Sequence, residues 1–338
     1  ATPTWKRASP HNIQRKTWQA ANCNNCHGNR ELFLSEKDLP EYAKAANAKV
    51  VVPDSLIPTK RKNVMKIDIP KTNVRTDMVV DAEWLHNNLG KKGMVLIDAQ
   101  GKAGYAKGHI KGAIALDANS LTQDWESDTP KELVSHEEIA KILGKAGISA
   151  DDHVVVYAKD AKWAGWFLWV LEYAGVKKVS FLKGGVEAWE HHGYHLTTKA
   201  TKRRSTKFAG TEHPEFVADN EFVAENLGNQ NFVVVDTRII PQAIGLAMHG
   251  AADRAGRIPG SVMLPLGTFF MDNAALKSPE ELLWLLKMNG VTPDKTVVTT
   301  CNTAQFAGDV FFIFRYLGFP DVRVHDPSWI SWSAMTME

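Results

Sequence analysis

The sequence predicts an α/β protein with two copies of one domain, each a central parallel sheet flanked by helices, preceded by an extended arm. Three observations carry this. From Met78 onward, short apolar runs alternate with amphipathic segments, the texture of strands joined by helices. That texture repeats. Val154-Val155-Val156-Tyr157-Ala158 lies over Val297-Val298-Thr299-Thr300-Cys301, and Tyr173-Ala174-Gly175 lies over Tyr316-Leu317-Gly318 at the same offset. A repeat this long is a duplicated domain, not a solenoid. The start of the chain lacks the texture and is broken by Pro53, Pro58 and Pro70, as an extended segment is.

Residues 1–73 therefore read as arm and linker, with one short helix over Asp38–Ala46. The first copy spans 74–200. Val95–Asp98, Val154–Ala158 and Val179–Leu182 are its strands, and the spacing of apolar residues predicts helices over Ser135–Leu143 and Trp163–Tyr173. A polar stretch with the basic run Lys202–Lys207 reads as a solvated linker. The second copy spans 214–338, with strands over Phe232–Asp236 and Thr296–Cys301 and helices over Glu280–Met288 and Ala307–Leu317. Asp98 and Asp236 end matching strands. Each is followed by a glycine-bounded turn, Gly108-His109-Ile110-Lys111-Gly112 or Gly256-Arg257-Ile258-Pro259-Gly260, and the second copy carries ten more residues before it. The presence of the aspartate in both copies argues for a structural role, and His109 has the same status.

The 338 residues are 44% hydrophobic and 23% charged, with a formal net charge of +2. This is ordinary for a globular chain and too mild to predict a nucleic acid partner. The longest apolar region, Trp163–Val170, falls far short of the roughly 18 residues of a membrane span. The chain opens on Ala1 without a methionine, which predicts a mature form whose signal peptide has been removed.

Three cysteines, Cys23, Cys26 and Cys301, are too few for a disulfide framework. Cys301 ends an apolar strand and precedes a helix expected to start at Phe306 or Ala307. The intervening loop, Asn302, Thr303, Ala304, Gln305, Phe306 and Ala307, can turn several backbone N–H groups onto one spot. Such a nest at a helix N-terminus favours negative charge. It is expected to lower the thiol pKa, and the thiolate is the nucleophile. Cys301 would take a sulfur from a donor and pass it to a thiol acceptor in two covalent steps. The alternative is a buried structural cysteine. His191, His192 and His195 follow a helix end, where they bind metal or lie in a solvated loop.

Cys23-Asn24-Asn25-Cys26-His27 is the C-x-x-C-H pattern of covalent haem, two thiols for the vinyl groups and His27 for the iron. A redox pair or half a zinc site are the alternatives. The first lacks a helix start beside a sheet, and the second lacks another cysteine pair.

Several segments together resemble the rhodanese (sulfurtransferase) family in its tandem form. In the first copy they are Val95-Leu96-Ile97-Asp98, Tyr105 to Ala113 and Lys183-Gly184-Gly185-Val186-Glu187-Ala188-Trp189. In the second they are Val234-Val235-Asp236-Thr237-Arg238, Gly256 to Ser261 and Trp329-Ile330-Ser331-Trp332-Ser333. The resemblance covers about residues 74–338. It implies that Cys301 carries sulfane sulfur and that the first copy, with Ala158 in that place, is silent. It also implies a departure. Relatives that use thiosulfate commonly carry Arg or Lys in the active loop, and this loop has no charge, so a dianionic donor loses a charge-assisted partner. Arg238 matches a family position that can reach substrate, with a structural ion pair as the alternative, and Arg254 and Arg257 are further candidates. A persulfide, polysulfide or protein-bound sulfur fits a neutral loop better.

Residues 5–50 resemble the end of a multihaem c-type cytochrome. This implies one covalent haem c, with His27 and His11 as axial ligands and Met65 as a substitute. Alternatively, His11 serves a haem of another chain. It further implies a periplasmic or extracellular protein, and a multihaem cytochrome or a second copy of the chain as partner. Two readings follow. One is a sulfurtransferase whose Cys301 chemistry is linked to electron flow through the haem. The other is an electron-transfer or docking subunit with a silent rhodanese scaffold.

Overall fold

The computed structural model describes residues 69–159, 164–271 and 275–336. The arm with its predicted helix, Cys23, Cys26, His27, His11 and Met65 lies outside the described residues. Ile69–Glu338 forms one compact unit.

Its first half runs β1 (Val79–Val80), α1 (Ala82–Asn88), β2 (Met94–Asp98), α2 (Gly101–Lys107), β3 (His109–Ile110), β4 (Ala113–Ala115), α3 (His136–Lys145), β5 (His153–Tyr157), α4 (Gly165–Tyr173), β6 (Lys178–Leu182), α5 (Gly185–His191) and β7 (Leu196–Thr197). The second runs β8 (Val217–Ala218), α6 (Asn220–Asn226), β9 (Phe232–Asp236), α7 (Ile240–Ala243), β10 (Val262–Met263), α8 (Pro279–Met288), β11 (Thr296–Thr300), α9 (Gln305–Tyr316), β12 (Val322–His325) and α10 (Ser328–Ala334). Each half holds a five-stranded sheet, β1-β6-β5-β2-β4 and β8-β12-β11-β9-β10. Every pairing within these sheets is parallel. The order is the same in both, so the sequence repeat is a repeat of topology.

The central strands are almost wholly apolar because both faces are covered. Side chains alternate between faces. Val154 and Val156 enter the core between the sheets, and Val155 and Tyr157 face an outer core under α1, α2 and α5. Val233, Val235 and Val297 likewise face the shared core, while Val234 and Val298 face an outer core under α6 and α10. Helices α3, α4, α8 and α9 fill the middle layer. Every residue of α4 is buried, as befits a helix that is apolar nearly all round. Serine capping boxes start α3 at Ser135 and α8 at Ser278.

Helices α4 and α9 meet across a pseudo-twofold. A Cβ on Gly165 would come within 2.6 Å of Asp309 Cα, and one on Gly308 within 3.0 Å of Trp166 Cα. Gly165 and Gly308 are equivalent in the repeat, so each helix offers its glycine to the other. Trp166 N donates to Asp309 Oδ1 (2.9 Å). Glu172, itself buried, meets Arg315 at 3.5 Å and Arg75 at 3.3 Å. The lead-in to each half crosses to the opposite one. Arg75 N donates to Tyr316 O (2.8 Å) at the end of α9, and His213 N donates to Tyr173 O (2.9 Å) at the end of α4.

Candidate active site

Strand β11 ends at Thr300, one residue earlier than the sequence predicts, and Cys301 opens the turn into α9. Leaving the ladder frees the Cys301 carbonyl to accept from Trp329 N (2.9 Å), while Asn302 O accepts from Ile330 N (3.3 Å). These two amides belong to the first turn of α10, where helical donors have no partner of their own. Helix α9 begins at Gln305, slightly before its expected start, behind Ala304 in the left-handed region (φ 62°).

This turn brings the predicted nest together. The backbone N–H groups of Thr303, Phe306 and Ala307 donate to the Cys301 sulfur. The expected fall in pKa does not follow, because Cys301 is only 3% exposed. Burial pushes the thiol up, the three amides pull it down, and the Asp236 carboxylate adds to the rise. The net direction is upward, since removing a thiolate from water outweighs the dipoles that greet it. Ala304 and Ala307 are buried, Asn302, Thr303 and Phe306 are half-buried, and Gln305 is exposed. Asn302 Nδ2 donates to Gln242 Oε1 (3.0 Å), and Asn302 Oδ1 is buried without a partner.

Ser328 is a residue of the site that the sequence reading missed. It is fully buried with φ 54°, a conformation that is strained for any residue with a Cβ. Its Oγ accepts from Ala304 N (3.0 Å) and Cys301 N (3.4 Å) and donates to His325 O (2.7 Å). The equivalent in the first half is Gly185, φ 53°, where a Cβ would run into the Ala158 carbonyl. The glycine-to-serine difference between aligned repeats is the signal that could have found it.

Of the two roles open to Arg238, the structure shows the ion pair. Its guanidinium grips Asp236 through Nε (3.0 Å) and Nη2 (2.6 Å), with a further bond from Nη2 to Gly256 O (2.8 Å). It also stacks on Trp329 at 4.5 Å. It is 2% exposed, so the carboxylate and the ring hold it as a buried brace beneath the loop. Arg254 is also structural, with Nη1 and Nη2 donating to Met335 O and Trp332 O at the end of α10, and exposed Arg257 donates to Met263 Sδ. Asp98 accepts from Gln100 N and Tyr157 OH, while His109 is buried between Tyr105 O and Lys199 O. Burial holds His325 neutral, with its pKa pulled down to about 3, and its ring bridges Thr300 and Asn220. His191, His192 and His195 are exposed.

A cavity of about 990 Å³ lies over Ala158, lined among others by Gln100, Lys159, Trp166 and Val186. Val186 and Gln100 occupy the places that Trp329 and Arg238 take beside Cys301. The hollow lies in the half that has Ala158 at the place of Cys301.

Known proteins match most of the chain. A family model described as the rhodanese-like domain matches residues 81–192 and 219–335. The thiosulfate sulfurtransferase of Corynebacterium glutamicum is 30% identical over 77% of this chain and 88% of its own. That of Pseudomonas aeruginosa is 30% identical over 75% and 93%. A sulfur carrier protein of Thermus thermophilus is 30% identical over 76% and 93%. Among solved structures, an anaerobic ergothioneine biosynthesis enzyme from Chlorobium limicola superposes with a TM-score of 0.71 at 23% identity, covering 89% of this chain and 79% of that one.

Proposed function

The chain belongs to the rhodanese-like family in its tandem form and is an enzyme with sulfurtransferase activity, and from that premise we propose that Cys301 carries the sulfur as a persulfide. The observation that carries this is the set of three backbone N–H groups on a single buried sulfur. The Cys301 thiolate attacks the outer sulfur of a donor R–S–S⁻. A bond forms between Cys301 Sγ and that sulfur, the donor S–S bond breaks, and its electron pair leaves with RS⁻. An acceptor thiolate then takes the outer sulfur by the same exchange, and the pair returns to Cys301 Sγ.

The donor is a persulfide, a polysulfide or a protein-bound sulfur. The loop carries no cation, Arg238 is held by Asp236, and the orphaned Asn302 Oδ1 is an acceptor that opposes a sulfonate oxygen. The amides of residues 303–307 cradle the transferred sulfur. The scaffold reading gives way to the enzyme.

The arm, we further propose, holds one haem c on Cys23 and Cys26, with His27 and His11 on the iron. When bound, it supplies one-electron transfer. It places the protein in the periplasm or outside the cell beside a multihaem cytochrome. The motif and its separation from Cys301 in the sequence support this.

Intact mass spectrometry tests both parts. Exposure to polysulfide should add one sulfur, removable by dithiothreitol and absent in Cys301→Ser. A haem should remain as added mass after denaturation and disappear in Cys23→Ser with Cys26→Ser. Sulfur gained equally by wild type and Cys301→Ser would sink the persulfide assignment, and a bare polypeptide mass from the natural host would sink the haem.

A further inference from the structure

The longer Asp236–Gly256 connection of the second copy builds a ridge that no step above uses. Within residues 239–248, the side chains of Ile239, Ile240, Ile244, Leu246 and Met248 are between 46% and 79% exposed. They are held in order. Ile244 N donates to Ile240 O, Gly245 N to Gln242 O, and Leu246 N and Ala247 N both to Pro241 O, and Ala243 is buried beneath. Helix α7 is joined to the active loop through Gln242 and Asn302. Across from it, exposed Trp125 of the first half stacks on His249 at 6.2 Å, adding an aromatic face. The corresponding helix of the silent copy, α2, presents Lys102 and Lys107 to solvent instead. Apolar side chains have been added to the copy with the live cysteine, beside its loop.

We propose that this ridge docks a small protein that carries the sulfur-accepting thiol, a reading that rests on the Cys301 persulfide proposed above. Three features define the partner. A low-molecular-weight thiol has no use for an ordered apolar surface beside the loop, so the ridge serves something larger. The ridge comprises five apolar side chains and Trp125, against the roughly 20–30 residues a side of a stable complex. That suits a carrier that docks, exchanges and leaves better than a permanent dimer. Its border on the Trp125 side is acidic. Asp124, Glu126 and Asp128 are exposed around Trp125, and Lys131, 5.0 Å over the same ring, offsets one of them, while exposed Arg257 lies on the other side, past Gly256. The partner therefore presents a cysteine amid apolar residues with Lys or Arg alongside. An ordered ridge loses little conformational entropy on docking. In the exchange, the Cys301 Sγ–S bond breaks, an S–S bond to the partner's thiol sulfur forms, and Cys301 keeps the electron pair.

The test uses the full chain and two labelled cysteine peptides, one apolar with flanking lysines and one of the same length with serines and aspartates. Binding is read by fluorescence anisotropy, and sulfur transfer from the loaded enzyme by peptide mass. The lysine peptide should bind and react at least tenfold better than the aspartate peptide and lose that advantage in high salt. A Leu246→Ser, Met248→Ser variant should abolish the preference while transfer to glutathione stays within twofold of wild type. Equal binding of the two peptides overturns the proposal. So does a variant that slows glutathione equally, which would make the ridge part of the loop's support. A dimer in sedimentation that the variant dissolves would assign the ridge to a second copy instead. If Cys301 never gains sulfur, the persulfide reading fails, and anisotropy still decides the docking surface.

Discussion

Ser328 shows how one hydroxyl organises the Cys301 loop. Two residues with a Cβ, Ala304 and Ser328, sit in the left-handed region and bond to each other, so each holds the other in a conformation that neither prefers. Ser328→Ala leaves the Ala304 amide buried without an acceptor and should cost about 1–3 kcal/mol in urea unfolding. Ser328→Gly removes the same hydroxyl but relieves the left-handed strain at this position, so it should cost less. Both should slow alkylation of Cys301 by iodoacetamide, and equal unfolding midpoints for the two variants would argue against stored strain. Because burial raises the Cys301 pKa, that alkylation should accelerate with a midpoint above the ordinary thiol range of about 8.5. Asp326 carries a second pH dependence. Its Oδ2 accepts from Leu133 N of the first half (2.9 Å), its Oδ1 is buried without a partner, and both Glu132 and Tyr173 act on it electrostatically. Burial foremost, with Glu132 adding to it, pushes its pKa up to about 7. The folded state thus holds a proton that the unfolded chain gives up near pH 4. Stability from this group is complete below that pH and is lost as pH rises through about 7. Asp326→Asn should therefore raise the melting temperature at pH 8 and leave it nearly unchanged at pH 4. A shift of the same size at both pH values would mean that the carboxyl stays ionised. The sequence made Cys301 and its amide nest legible, because a lone cysteine at a strand end is a one-dimensional signal. Ser328 and Asp326 owe their roles to contacts 24 residues and 193 residues away, which no local pattern records.

At the scale of elements, strands and helices were legible to within two residues wherever periodicity was strong, as in β9, which runs as expected. The start of the helix predicted from Trp163 lies outside the described residues, and its remainder is α4. What periodicity could not give is the partner of a helix that is apolar on every side. In α4 and α9 that information resides in Gly165 and Gly308, whose missing side chains let the two backbones approach. Gly308→Val should force the helices apart and cost about 1–3 kcal/mol or more. Gly267→Ala, where nothing lies within 4 Å of the added carbon, is the control and should change little. No loss at Gly308→Val would mean that close packing does not select this glycine.

At the scale of the whole molecule, the constant offset between the repeats announced two copies but not that they share a core. Phe311, Phe312 and Phe314 of α9 are buried in the layer between the sheets, so residues 214–338 expressed alone should aggregate or self-associate when examined by sedimentation. A well-behaved monomer would show that the second sheet closes its own core. The crossed lead-ins also set a timetable. Tyr173 leaves the ribosome a whole repeat ahead of Tyr316, and α4 cannot be covered until α9 follows. At roughly 5–20 residues per second, that interval is about 7–30 s. For its duration, the most apolar helix of the nascent first half has no mate, and this is the span during which a holding chaperone has something to grasp.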